Sequence, residues 1–230
     1  MKVAIIPARG GSKRIPRKNI KTFHGKAIIA YSIEAAIASE CFDKVIVSTD
    51  DAEIAAVAEA HGADVPFLRP AEISDDYATT RDVMVHAIRW CQNEGWDVEV
   101  VCCLYATAPF VLPEDLQQGY ALLKGTGVYF AFSATPFPFP IQRAIKLNKD
   151  RSVSMFSPEY EQVRSQDLDE AYHDAGQFYW GKASAFLANL SIFSPHSKAL
   201  LLPRNRVQDI DTLEDWYNAE SMYDVLTNSQ

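Results

Sequence analysis

Val3-Ala4-Ile5-Ile6-Pro7-Ala8-Arg9-Gly10-Gly11-Ser12-Lys13-Arg14-Ile15-Pro16-Arg17-Lys18-Asn19 joins an apolar run to a basic, glycine-containing loop. The first six residues predict a buried strand, Val3–Ala8. Of the eleven that follow, five are Lys or Arg: Arg9, Lys13, Arg14, Arg17 and Lys18. The whole chain carries 22 such residues against 30 acidic ones, a formal net charge of -8, so this local density of cations stands out. Gly10 and Gly11 let backbone N–H groups approach a ligand with no Cβ in between. Consecutive N–H groups in such a turn form a concave anion site. Donors and cations directly after a first strand point to a polyphosphate, with Arg9, Ser12 and Lys18 as the candidate ligands. The competing reading is a solvated basic turn. The spacing matches neither G-x-x-x-x-G-K-[ST] nor G-x-G-x-x-G. Asn19, at the end of the run, suits a base edge or the holding of the turn.

Working outward, the first half alternates strands and helices. Ala27–Ser39 is rich in Ala and Ile and predicts a helix, and Lys44–Thr49 a strand. Asp51 caps a second helix that Gly62 stops. Thr79 or Thr80 caps a third, in which Met84, Ala87, Ile88 and Cys91 share a face. Glu99–Leu104 reads as a buried strand, Pro113 opens a helix at its first turn, and Val128–Ser133 is the next strand. This alternation predicts an α/β fold of Rossmann-like type, a mostly parallel sheet with helices on both faces, in one domain over 1–230. Thr135–Pro140, T-P-F-P-F-P, interrupts the pattern. Residues 135–180 are expected to form an insertion, arm or lid of hairpins and loops. A short helix near Lys182–Ala188, a strand near Leu200–Leu202 and a helix over Thr212–Val225 complete the chain.

The totals exclude several classes. An acidic balance argues against broad nucleic-acid or anionic-membrane binding, which needs an extended basic face. No apolar run reaches the length of a bilayer span. The opening shows no charged segment followed by an apolar one, so no secretory leader is expected. Cys41, Cys91, Cys102 and Cys103 form no C-x-x-C pair. Cys102 and Cys103 are adjacent in a strand and must face opposite ways. Reduced, packed thiols and a cytoplasmic enzyme are the expectation.

Two further constellations carry chemistry. Asp209 and Asp211 are one residue apart in V-Q-D-I-D-T. In an extended segment both point the same way, which suits Mg²⁺ held by two carboxylates and substrate phosphates. An equal alternative makes Asp211 a helix N-cap, with Glu214 completing a capping box. Tyr105-Ala106-Thr107-Ala108-Pro109 follows a buried strand, where the ligand crevice of α/β sheets opens. Gln166, His173, Gln177, Phe178 and Tyr179 mix polar and aromatic groups. They suit a polyhydroxylated ligand or, equally, a partly packed hairpin.

Ile6 to Asn19, the Val47-Ser48-Thr49-Asp50-Asp51 after the second strand, and the late Asp209-Ile210-Asp211 together resemble the CMP-sugar synthetases, cytidylyltransferases acting on sialic-acid-like sugars. The resemblance covers nearly the whole chain in motif order. It implies a nucleotidyltransferase-type fold, CTP as donor, Mg²⁺ as cofactor and a homodimer. It assigns Arg9, Ser12 and Lys18 to the triphosphate and Asn19 to the nucleotide. Arg69 and Thr80 fall at further nucleotide contacts, and Asp209 and Asp211 at the metal carboxylates. Arg9, Lys18 and Asp211 are thereby the expected catalytic groups.

The departures are informative. Gly10-Gly11-Ser12-Lys13-Arg14 stands where sialic acid synthetases usually read S-G-S-K-G. Tyr105-Ala106-Thr107-Ala108-Pro109 replaces Q-P-T-S-P, putting Tyr105 where a Gln would meet the nucleotide. Ser165-Gln166-Asp167-Leu168-Asp169 replaces R-Q-x-L-P. These differences favour a nine-carbon sugar acid other than ordinary sialic acid, and within the family the chain resembles the branch acting on pseudaminic acid. The same transfer to N-acetylneuraminic or legionaminic acid is the alternative within the chemistry. A CTP-binding module without turnover is the alternative outside it.

Overall fold

Short apolar runs bounded by turns become the strands of one sheet. The computed structural model describes residues 1–75 and 77–228. In chain order the elements are β1 (Lys2–Pro7), β2 (Thr22–Phe23), β3 (Lys26–Ala27), α1 (Ile28–Ala38), β4 (Lys44–Ser48) and α2 (Ala52–Ala60). Then follow α3 (Thr80–Asn93), β5 (Val100–Leu104), α4 (Pro113–Leu123) and β6 (Phe130–Pro136). The remainder is β7 (Ile145–Leu147), β8 (Val153–Met155), β9 (Tyr172–Lys182), α5 (Ala183–Leu187), β10 (Ser197–Leu201) and α6 (Leu213–Asn228).

Six strands pair in the order β10-β6-β9-β5-β1-β4. β1 runs parallel to β4 and β5, and β10 parallel to β6. β9 alone is antiparallel, to both β5 and β6. Successive residues of β1 feed opposite cores: Ala4 and Ile6 join α1, α2 and α4, while Val3 and Ile5 join α3 and α5. Cys102 and Cys103 divide in the same way, and all four cysteines are buried and free. Burial pushes the Cys91 thiol up to about 11 and raises those of Cys102 and Cys103 further.

The caps follow the sequence logic. The Asp51 side chain accepts hydrogen bonds from the N–H groups of Glu53 and Ile54, and Gly62 turns at φ +92°. Thr79 and Asp82 form a reciprocal capping box on α3. At the last helix the register is one residue later than the Asp211–Glu214 alternative. The Thr212 hydroxyl accepts from Asp215 N–H, and the Asp215 carboxylate accepts from the N–H groups of Thr212 and Asp211. Thr212 is therefore the cap, and the Asp211 side chain is released from that duty.

The expected excursion over 135–180 differs at both ends. β6 continues through Thr135 and Pro136, which pair with His173 and Tyr172. Pro136 is tolerated because the β10 side of the ladder has ended by Ala134, leaving no partner for its missing N–H. Residues 172–182 are no hairpin but a strand in the middle of the main sheet. What projects is 137–171, holding the antiparallel ribbon β7–β8.

A third apolar cluster decides where the functional loop sits. Ile15, from the middle of the basic loop, and Ile210, from between the two late carboxylates, are both fully buried. They share this cluster with Phe23 of the β2–β3 hairpin, Phe110 and Trp216 of α6. The apolar residue inside each charged motif thus anchors both motifs to the same base. No helix among the described residues is long and apolar enough to cross a membrane.

Candidate active site

β1 and β5 end side by side, and a cleft of about 540 Å³ opens past their carboxyl ends. Its lining includes Arg9, Ser12, Lys18, Asn19, Arg69, Thr80, Tyr105 and Asp211. Every nucleotide candidate of the sequence therefore reaches one cavity, and one of the two metal candidates joins them.

Each side chain arrives there for a local reason. Arg9 donates to the backbone oxygen of Asp75 at 2.9 Å across the cleft mouth. Asn19 is buried and donates to the Arg9 backbone oxygen at 3.0 Å, so it ties the two ends of the loop together while lining the cavity. Lys18 reaches the Ile210 carbonyl at 2.5 Å and Asp211 at 3.4 Å. Arg14 meets Asp211 at 2.9 Å.

Arg69 comes from a segment that bridges to the edge of β4 through Thr49 and Leu68. Its side chain is 2% exposed, donating to Ser74 Oγ at 3.1 Å and to the Ser48 carbonyl at 3.3 Å. Burial lowers its pKa; Asp50, at 3.6 Å, raises it and nearby Arg9 lowers it. A buried guanidinium beside a second cation is a site poised for an anion.

Tyr105 begins the loop after β5, whose backbone is held by Ser32 Oγ at 2.7 Å. Its hydroxyl lies 3.4 Å from Thr80 Oγ1.

Asp209 sits next to this wall. Loss of solvent around its carboxylate and then the charge of Asp211 raise its pKa, with Lys18 and Arg14 opposing. A carboxylate whose ionisation is disfavoured by burial and by a neighbouring carboxylate fits a divalent cation held beside it. Among the described residues no three His, Cys, Asp or Glu side chains surround one point. A cation held by Asp209 and Asp211 would thus complete its shell with substrate oxygens and water, as Mg²⁺ does.

The acceptor candidates do not converge. Gln166 lies on the projecting arm and is exposed. His173 packs on the Phe137 ring, and its Nδ1 lies 2.9 Å from the Asp174 backbone oxygen. Gln177 is buried and donates to the Arg206 carbonyl at 2.6 Å. Phe178 is fully buried in the core that includes α4. Of these five, Tyr179 alone lines a second cavity, about 220 Å³, that shares Thr80 and Tyr105 with the first cleft. There its hydroxyl donates to Asp174 at 2.5 Å. Strand alternation turns Phe178 away from Tyr179, and an irregularity in the β6–β9 pairing, where Phe132 faces Tyr179 and Ala134 faces Asp174, breaks the alternation that would otherwise align His173 with Tyr179.

Two arginines form ion pairs that the local sequence does not announce. Arg206 grips Asp115 through both carboxylate oxygens, at 2.6 and 3.0 Å, and steadies the segment leading to Asp209. Arg17, read only as one cation among five, pairs with Asp51 and Glu53. Their partners lie far away in the sequence, so no local pattern announces them.

The cytidylyltransferase family model matches residues 3–219. Pseudaminic acid cytidylyltransferase of Campylobacter jejuni is 50% identical over 223 residues, covering 97% of this chain and 96% of that one. CMP-N,N'-diacetyllegionaminic acid synthase of Legionella pneumophila is 32% identical, over 97% of this chain and 96% of that one. The solved structure of CMP:2-keto-3-deoxy-manno-octonic acid synthetase complexed with CTP superposes with a TM-score of 0.71 at 16% identity, covering 100% of this chain and 99% of that one. That likeness shows a shared α/β fold. With residues 3–219 matched by the family model and 97% of its length aligned to a relative at 50% identity, this chain belongs to the cytidylyltransferase family.

Proposed function

We propose that the protein transfers CMP from CTP to pseudaminic acid, giving CMP-pseudaminic acid and pyrophosphate, for surface or flagellar glycosylation. One observation carries the reaction class: Lys18 stands between the phosphate loop and Asp211. Phosphate-binding cations and a metal-type carboxylate thereby face one cavity. The acceptor rests on the gap between 50% identity to the Campylobacter enzyme and 32% to the Legionella one.

In this reading the triphosphate lies along Arg9, Ser12 and Lys18, and Arg69, Thr80 and Tyr105 complete the nucleotide site. The anomeric hydroxyl of the sugar attacks the α-phosphorus in line. A new P–O bond forms, the bond to the β-phosphate oxygen breaks, the hydroxyl proton is released to water, and pyrophosphate carries away the charge. Arg9 and Lys18 neutralise that charge as it develops. Asp209 and Asp211 would hold Mg²⁺, which when bound supplies charge neutralisation of the phosphates and a lowered pKa for the attacking hydroxyl. Positioning and charge thus do most of the work.

The test is pyrophosphate release with CTP and Mg²⁺ against pseudaminic, N,N'-diacetyllegionaminic and N-acetylneuraminic acids. We expect kcat/KM for pseudaminic acid to exceed the others by at least tenfold. Equal values, or preference for another acid, would transfer the assignment to that acceptor. No release with any of them would leave only a nucleotide-binding module.

A homodimer and a cytoplasmic location belong to the same proposal. The β7–β8 ribbon turns Ile145, Leu147 and Val153 to one side, at 59%, 71% and 60% exposure. A two-stranded ribbon is marginal alone, and an apolar face of this kind calls for a second copy. Leu147→Asp should shift the sedimentation coefficient to that of a monomer; an unchanged value would remove the ribbon from the interface. Four buried, unpaired thiols and a need for CTP suit the cytoplasm, which cell fractionation would check.

A further inference from the structure

Asp51 lies outside the cleft lining and caps α2, a role that any Asp or Asn fills. Its carboxylate does more. Arg17 directs two guanidinium nitrogens at its two oxygens, Nη2 to Oδ1 at 3.0 Å and Nη1 to Oδ2. At the other end of the loop, a Cβ built on Gly10 would meet Asp51 Oδ2 at 2.6 Å. One carboxylate therefore touches both residue 10 and residue 17, the span that contains Ser12. Asp50, next to it, accepts from the Gly10 N–H at 3.0 Å.

The backbone at Arg17 explains why a side chain is needed there. It is left-handed, φ 57° and ψ 31°, a conformation that glycine adopts freely and a residue with a Cβ does not. The turn sends consecutive side chains apart: Arg17 goes back to the start of α2, and Lys18 goes forward to Ile210 and Asp211. Glu53 adds a more exposed contact, at 2.5 Å to Nη2.

We propose that Asp51 is a positioning residue for cytidylyl transfer: by gripping Arg17 and abutting Gly10 it fixes the path of the phosphate loop and the aim of Lys18. The inference rests on the reading of the cleft as the CTP site. Arg17, on this account, is a clamp and not a ligand of the nucleotide. The geometry is supported by charge: the hydrogen bond from Arg17 is the largest effect holding the Asp51 carboxyl down at about 2.

The experiment separates clamp from cap. Asp51→Asn keeps an amide oxygen for the helix N–H groups and removes the charge that holds Arg17. Arg17→Gly keeps the left-handed turn and removes the clamp from the other side. CTP binding to the full chain, measured by calorimetry with Mg²⁺ and no sugar, is expected to weaken about tenfold in each, through misplacement of the loop. KM for CTP should rise in step while KM for the sugar acid stays unchanged. The double variant should be no weaker than the weaker single one, because both remove the same link. Glu53→Gln should change affinity less than about twofold, as expected of an exposed pair. Circular dichroism controls for folding. Wild-type affinity in both single variants, or a hundredfold loss in the double one, overturns the clamp. A wild-type chain that fails to bind CTP overturns the proposed function and the clamp with it. One that binds CTP yet releases no pyrophosphate overturns the function alone.

Discussion

The proposed nucleotide wall and the proposed acceptor side of this molecule are built by different rules. The wall from Arg9 to Asn19 is a contiguous loop pinned at both ends, and its candidate ligands arrive together in one cavity. The acceptor candidates come from a strand and an arm, and they disperse to the arm surface, two ring and backbone contacts, the core and a second cavity. A loop motif carries its own geometry, because neighbours in sequence stay neighbours in space. A strand motif does not, because each step reverses direction and a bulge, such as the one between Asp174 and Tyr179, resets the alternation. Composition over a strand therefore overstates the number of residues that can meet one ligand.

The comparison breaks most visibly at the late carboxylates. Asp209→Asn and Asp211→Asn are each expected to abolish Mg²⁺-dependent turnover, measured as rate against Mg²⁺ concentration. Thr212→Ala should instead cost about 1 kcal/mol of stability with turnover retained, since Thr212 is the cap. Asp209→Asn carries a second signature. The folded-state pKa of Asp209 is raised, so its ionisation opposes folding as the pH rises through that value. Removing the charge should therefore raise the thermal midpoint at neutral pH while removing activity. A silent Asp211→Asn would mean that the wall's contiguity had misled us about the metal.

Next in size are Arg9→Ala and Lys18→Ala. Each should lose about 2–4 kcal/mol of transition-state stabilisation, with an unchanged circular dichroism spectrum. Wild-type turnover in both would remove the loop from the mechanism. The smallest effect should come from the acceptor side. Tyr179→Phe removes the hydrogen bond to Asp174, and about 1 kcal/mol, roughly fivefold, should appear in KM for the sugar acid. KM for CTP should not move. A change in CTP affinity alone would place Tyr179 on the nucleotide side.

Much of the fold was legible because the strands and helices of the first half announce themselves through burial and caps. Met84, Ala87, Ile88 and Cys91 are all buried as their spacing requires. β9 was not legible. It is covered on both faces, so no polar alternation marks it, and its polar residues find partners far off in the chain. Gln177, for instance, donates to the Arg206 carbonyl. The cap of α6 was ambiguous for another reason. Asp211–Glu214 and Thr212–Asp215 both satisfy the capping spacing, and the side chain of Asp211 turns instead toward Arg14 and Lys18. Arg17 shows the same limit, since its carboxylate partner is 34 residues away.

Ile15 and Ile210 share one buried cluster with Trp216 of α6. In folding terms this leads us to expect the basic loop to order late. Lys18 and its anchor at Ile210 stand 192 residues apart, and closing so long a loop is entropically expensive until the intervening sheet has drawn the ends together. During refolding, CTP binding should return after the circular dichroism signal of the sheet and helices, never ahead of it. The capacity to hold a nucleotide then serves as a certificate that the chain has folded to its last helix.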